Sequence, residues 1–363
     1  MRNLKKCILM TLCVCAALLL CGCEKSKADR YEDAKQFASV GEWDKAIEAF
    51  TALDGYENST KYLIYIDALQ AAENGQYDAA VSALDTLADF LDSRQLSVYY
   101  QARQSEENQA YEQAETLYQS LDGFKDSTER LTVLAPVIAE RAAAKAARDA
   151  KFQVGSTITF GRYTQTREGT DRTPIEWLIL DRDGDKALLL SRYGLDNQPY
   201  NAEWTDTTWE NCTLRAWLND DFLKKAFSEE EQNAVCETFI SNAKNQGYAA
   251  WNTDGGDDTQ DKIFLLSFAE ADQYFGVMYN ESCMEARMAP TAYASALGAF
   301  VNDGEYKTAD GEKTGLWWLR SSGTSQGFAA FIAPDGSLYS INVAYEYGCV
   351  RPALWVNIES GVF

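Results

Sequence analysis

The chain has 363 residues, 46% of them hydrophobic and 24% charged, which supports packed cores in two domains, or in one domain with an attached array, and excludes wholesale disorder. Its 33 Lys and Arg face 55 Asp and Glu, a formal charge of −22. That balance argues against a nucleic-acid partner, whose binding rests on cations neutralising phosphates. Histidine is absent, which removes Ser-His-Asp and Cys-His nucleophilic systems and every His-containing zinc site.

Arg2, Lys5 and Lys6 precede an uncharged, mostly apolar run over 7–20. A membrane span needs about 20 apolar residues, so this run suits a signal h-region instead. It ends in Leu20-Cys21-Gly22-Cys23, which resembles the lipobox of bacterial lipoproteins. The resemblance implies cleavage before Cys23 and a diacylglycerol on its thiol. Residues 1–22 are then a signal peptide and 23–30 a lipid-anchored tether, on the outer side of the cell membrane. Without the three leader cations the chain carries 30 basic and 55 acidic residues, a net of −25. Acyl chains, not a basic patch, would hold it to a membrane.

From 31 to 130 the sequence repeats with a period of 34. Trp43, Tyr77 and Tyr111 are in register, as are Ala34, Ala68 and Ala102, and Ala46, Ala80 and Ala114. Such a period is the signature of three tetratricopeptide-like helix pairs. Alanines let the helices approach, aromatics fill between them, and Gly41 and Gly75 break the chain between paired helices. Asn58-Ser59, Asp92-Ser93 and Asp126-Ser127 offer N-cap chemistry for the following helix, where the usual pattern has proline. Residues 131–151 read as a capping and connector helix, broken near Pro136 and rich in alanine at its end. The array is expected to act as a spacer or docking element.

At 152 the texture changes to an α+β domain extending to 363. Two apolar runs meet across Asp183-Gly184 as a β-hairpin. A helix is expected over 213–227, with Leu214, Trp217, Leu218 and Phe222 on one face. A buried strand follows over 263–266, then a short helix over 268–275. Strands are expected over 316–319, 327–332 and 338–343, the last two joined by a turn at Pro334-Asp335-Gly336, and a final one over 349–356.

Thr173-Pro-Ile-Glu-Trp177, Leu214-Arg-Ala-Trp217-Leu218-Asn219, Phe264-Leu-Leu-Ser267, Trp317-Trp318-Leu319-Arg320-Ser321 and Val350-Arg351-Pro352-Ala353-Leu354 occur in this order. Together they resemble the bacterial domain of unknown function 6273 family over about 152–360, which brings no established activity with it. The late Trp-Leu-Arg-Ser segment, hairpin and Arg-Pro ending also look distantly like the formylglycine-generating and C-type-lectin-like folds. That second likeness implies fold and not chemistry. The paired reactive cysteines of formylglycine generation have no counterpart here.

Several groups come forward as sites. Cys212, Cys236, Cys283 and Cys349 lack metal-ligand spacing; they are free thiols or disulfides, and three pairings are open. Glu176 is expected to be solvated or ion-paired. The oxygen-rich loop 252–261 lacks the EF-hand order for calcium and reads as a solvated acidic loop. No cofactor or metal is expected. The ligand-binding candidates are Trp318, Arg320, Tyr345, Tyr347 and Arg351, because aromatic faces stack on sugar rings and Arg grips carboxylates. Trp317 and Trp318 are strand neighbours, so one of the two is expected in the core and the other available. The segment 339–347 is the preferred contact loop.

The resulting expectation is a non-enzymatic surface lipoprotein. Its repeats raise a C-terminal domain that contacts an extracellular glycan, cell-wall or protein ligand. The alternatives are a cell-wall-acting enzyme with paired carboxylates and an assembly protein that holds a partner in its repeats.

Overall fold

A computed structural model describes residues 25–244 and 251–363; the leader and Cys23 lie outside the described residues. The chain divides into two compact units, Met1–Ala144 and Lys145–Phe363. Among the described residues no helix is long and apolar enough to cross a membrane.

The first unit is built from helices α1 (Lys27–Ser39), α2 (Trp43–Thr51), α3 (Ser59–Glu73), α4 (Tyr77–Asp85), α5 (Ser93–Glu107), α6 (Tyr111–Gln119) and the start of α7 (Ser127–Lys151). The short helices start at 43, 77 and 111 and the next long ones at 59, 93 and 127, so the 34-residue offset of the sequence is an offset of structure. Ala34, Ala46, Ala68, Ala80, Ala102 and Ala114 are all buried. Their small side chains bring helix axes together, and rings such as Phe50 and Tyr62, stacked with centroids 4.5 Å apart, fill the remaining space.

The polar residues opening the long helices have a different task from the one expected. Neither Asn58 nor Asp92 makes a side-chain cap bond. Instead Tyr65 donates to Asp92 and Tyr99 to Asp126, each at 2.5 Å, so each carboxylate ties one repeat to the preceding one. A half-buried phenol provides a partner that outcompetes the cap geometry. Pro136 likewise does not break α7, which runs unbroken through it; its ring is on the exposed side of the helix.

Gly41 and Gly75 sit at φ +76° and +74°, as a break between paired helices requires. The third repeat places Gln109 there at φ +60°, and Arg141 donates to its carbonyl oxygen at 2.9 Å.

The second unit contains two main sheets around one core, and a small sheet of β5 (Thr238–Ile240) and β6 (Thr259–Asp261). The first has the order β1 (Thr157–Tyr163), β2 (Thr173–Asp183), β3 (Lys186–Ser191) and β11 (Ala353–Asn357). The second has the order β4 (Asp196–Asn197), β10 (Cys349–Val350), β7 (Trp317–Ser322), β8 (Phe328–Ile332) and β9 (Leu338–Asn342). The β2–β3 hairpin turns on Gly184-Asp185, with Gly184 at φ +56°, as a two-residue turn with glycine first demands. The strand expected over 349–356 is two strands in two sheets, parted at Arg351-Pro352.

The helix expected over 213–227 is α8 (Thr213–Trp217), a π turn (Leu218–Phe222) and α9 (Leu223–Ala226). The widened turn presents Asn219, whose amide donates to Arg215 O and Ile263 O and accepts from the N–H groups of Lys262 and Ile263. This clamp fixes the segment over 263–266. It is buried as expected, but pairs through a single bridge, Phe264 with Ala353, and not through a ladder. A further helix, α11 (Phe268–Phe275), follows α10 (Glu229–Ala234) and carries a Ser267/Glu270 capping box.

Gly75 and Gln109 give a matched test of the repeat turns. No atom lies within 4 Å of a Cβ built on Gly75, so Gly75→Ala should lose only the left-handed backbone preference, about 1 kcal/mol. Gln109→Gly should gain a similar amount by relieving the same strain. Urea unfolding followed by the helical circular-dichroism signal measures both, and opposite signs are expected.

Candidate functional site

The late motif Trp317-Trp318-Leu319-Arg320 forms β7, and all four residues are buried. Trp317 donates from Nε1 to Ala286 O and Trp318 to Gln198 O, both at 3.0 Å. The expectation that one of the two indoles is available is therefore corrected: both are core. Strand alternation sends them to opposite faces, but both faces of this sheet are covered. Gly348 packs so closely that a methyl group on it would lie 2.0 Å from Trp318 Nε1.

Arg320 is also buried, and its role is structural. It forms a two-point ion pair with Glu270 and donates to the carbonyls of Leu265, at 2.9 Å, and Ser241, at 3.3 Å. Because Glu270 also accepts from Ser267 N at 2.8 Å, the pair pins the start of α11 to β7. Glu176, as expected, is ion-paired, with Arg192 at 2.7 Å. All four C-terminal cysteines are free, and burial pushes the Cys212 thiol up to about 12. Among the described residues no group of three or more Cys, Asp or Glu is placed to hold a metal ion.

Tyr345 and Tyr347 lie elsewhere, on the surface. Tyr347 is 51% exposed; Tyr345 is half-buried against the core, and the rings meet edge-on with centroids 5.3 Å apart. Their loop is stapled to its neighbour: Phe300 N donates to Tyr347 O at 3.0 Å, and the Asn197 amide donates to Leu297 O and Glu346 O. Leu297 and Phe300, 45% and 40% exposed, are thus tied through the backbone to the tyrosine loop. Neither residue stood out in the sequence, because both belong to an irregular loop without periodicity.

Arg351 occupies a third environment. The chain changes sheets here, and the side chain turns inward, 4% exposed. Nε donates to Ser191 O at 2.9 Å, and the guanidinium lies over Trp317, 4.7 Å from the ring centroid. Nη1 is buried without a partner, and among the described residues no carboxylate pairs with this cation. Burial alone pulls Arg351 down to about 9.

Arg351 lines a cavity of about 510 Å³ together with Arg192, Tyr193 and Arg287. A second hollow of about 450 Å³ shares Tyr193, Ala289 and Glu312 with the first. Arg192 is neutralised by Glu176 and Asp310, both at 2.7 Å. Arg287 donates to Asp335 O, Lys307 O and Ser282 Oγ instead of to a carboxylate. Of the ligand candidates read from sequence, the structure thus brings Tyr345 and Tyr347 together and sets Trp318, Arg320 and Arg351 inside.

Residues 184–358 match the model of a family described as Domain of unknown function (DUF6273). The match lies within the C-terminal unit. The match starts in the turn after β2, so β1 and all of β2, expected inside it, fall outside although the first sheet is built on them. No curated protein and no solved structure matches the chain.

The Arg320–Glu270 pair should behave as a fastener. Glu270→Ala would leave a buried guanidinium without its counter-ion, at a cost near the low end of about 3–5 kcal/mol because Glu270 is partly solvated. A fall in melting temperature with Arg320→Met much milder than Glu270→Ala is the expected pattern in calorimetry.

Proposed function

We propose that this protein is a lipid-anchored binding protein on the outer side of the cell membrane, with Cys23 carrying the anchor. Its tetratricopeptide-like repeats serve as a spacer. Its C-terminal domain contacts a surface polymer, a glycan or a protein, through the patch formed by Tyr345, Tyr347, Leu297 and Phe300. The observation that carries this reading is the patch itself. Four apolar side chains are held at the surface by backbone bonds and by the Asn197 amide, so their presentation costs little ordering on binding. Aromatic rings in that setting stack on sugar faces and on apolar side chains. The leader and the Leu20-Cys21-Gly22-Cys23 sequence support the anchor.

Two measurements check the proposal. Intact-mass analysis of the membrane-extracted protein should find Cys23 as the N-terminal residue, bearing acyl mass, and Cys23→Ser should abolish both; a mature terminus elsewhere would remove the anchor. For the patch, Tyr347→Ala and Phe300→Ala should leave the melting temperature nearly unchanged. Each should weaken retention on purified cell wall or on surface-protein extract by at least about tenfold. Tyr345→Ala should lose stability as well, since that ring also packs on the core. Retention equal to wild type in both surface variants would place the contact elsewhere.

A further inference from the structure

Beyond the surface patch, and independent of it, the second unit contains a cation whose environment asks for an anion. Arg351 is 4% exposed, with one hydrogen bond among the described residues, from Nε to Ser191 O, and Nη1 buried without a partner. Carboxylates are not scarce: the chain has 55 of them, yet none pairs with this guanidinium among the described residues. Removing a charge from water costs several kcal/mol unless it is paired. A fold that only needed an apolar filler over Trp317 would avoid that cost with Met or Leu.

The cavity beside Arg351 narrows what the anion is. At about 510 Å³ it falls in the range of small-molecule sites. Arg287 also lines it, with all its hydrogen bonds going to neutral oxygens. Glu285 and Glu312 are in the wall too, which disfavours a doubly charged phosphate. Leu178, Tyr193 and Met284 supply an apolar side. We propose that this cavity binds a small organic carboxylate, its planar anionic end on the Arg351 guanidinium and its apolar body against Leu178, Tyr193 and Met284. The fork of a guanidinium matches a carboxylate through two parallel hydrogen bonds, and Trp317 beneath Arg351 holds that fork flat.

The test uses para-bromobenzoate, its uncharged amide and inorganic phosphate as probes on the full mature chain. Titration calorimetry should give saturable binding of the carboxylate and none of the amide or phosphate. Arg351→Met should weaken the carboxylate by at least about thirtyfold, the loss typical of removing one partner of a buried charge pair, while keeping or raising the melting temperature. Tyr347→Ala, which leaves this cavity untouched, should bind like wild type and so separates this inference from the proposed contact patch. Should Arg351→Met fail to fold, crystals of the wild-type chain soaked in the same probe decide: the bromine signal should place the carboxylate within hydrogen-bond distance of Arg351. Equal binding of acid and amide, tighter binding of phosphate, an unaffected Arg351→Met, or a probe seated elsewhere or nowhere would each overturn the proposal.

Discussion

The C-terminal unit depends on one short stretch of backbone serving two sheets. Cys349 pairs with Trp317 of β7 and Asn197 of β4, and four residues later the chain begins to pair with β3, from Ala353 opposite Leu190 to Asn357 opposite Lys186. Pro352 sits at the crossing, where it has no ladder bond to donate, and its carbonyl still accepts from Ser191 N. Ala353 and Phe264 exchange both backbone bonds, which brings the 263–266 segment into the same seam. Sheets joined in this way cannot slide independently, so the indoles of β7, the α11 start and the Arg351 side of the cavity are fixed relative to one another.

That seam explains which parts of the fold could be read in advance. Local signals reported local structure: the 34-residue period gave the helix pairs and the Asp-Gly dipeptide the hairpin. The final strand reads as continuous in sequence because its apolar residues dominate on both sides of Arg351-Pro352, and nothing in composition says that two partners share them. Arg351-Pro352 was the available signal, since proline inside a strand marks an edge or a break.

The site was less legible than the fold, for a related reason. For Trp317 and Trp318 the sequence offers only strand alternation, a rule that separates core from solvent only when one face of a sheet is wet. In a strand covered on both sides it separates one core from another. The cavity draws Arg192 from the end of β3, Arg287 from an irregular loop and Arg351 from the crossing, residues scattered over 160 positions with no common motif. Only Tyr345 and Tyr347, neighbours in a loop tied down by Asn197 and Phe300, combined closeness in sequence with exposure.

Arg320 and Arg351 show how satisfaction, and not burial, distinguishes a fastener from a receptor. Both arise in late motifs and both are 4% exposed. Arg320 has a carboxylate at two points and two carbonyls, a set that uses most of its donors inside the protein. Arg351 has one carbonyl and an indole face, in the wall of a cavity it shares with a second arginine that also lacks an ion-pair partner among the described residues. A buried cation that the fold has neutralised can only hold the fold together. One left with free donors at a cavity retains binding energy for a ligand, because any carboxylate that reaches it meets a guanidinium whose desolvation has already been borne by folding.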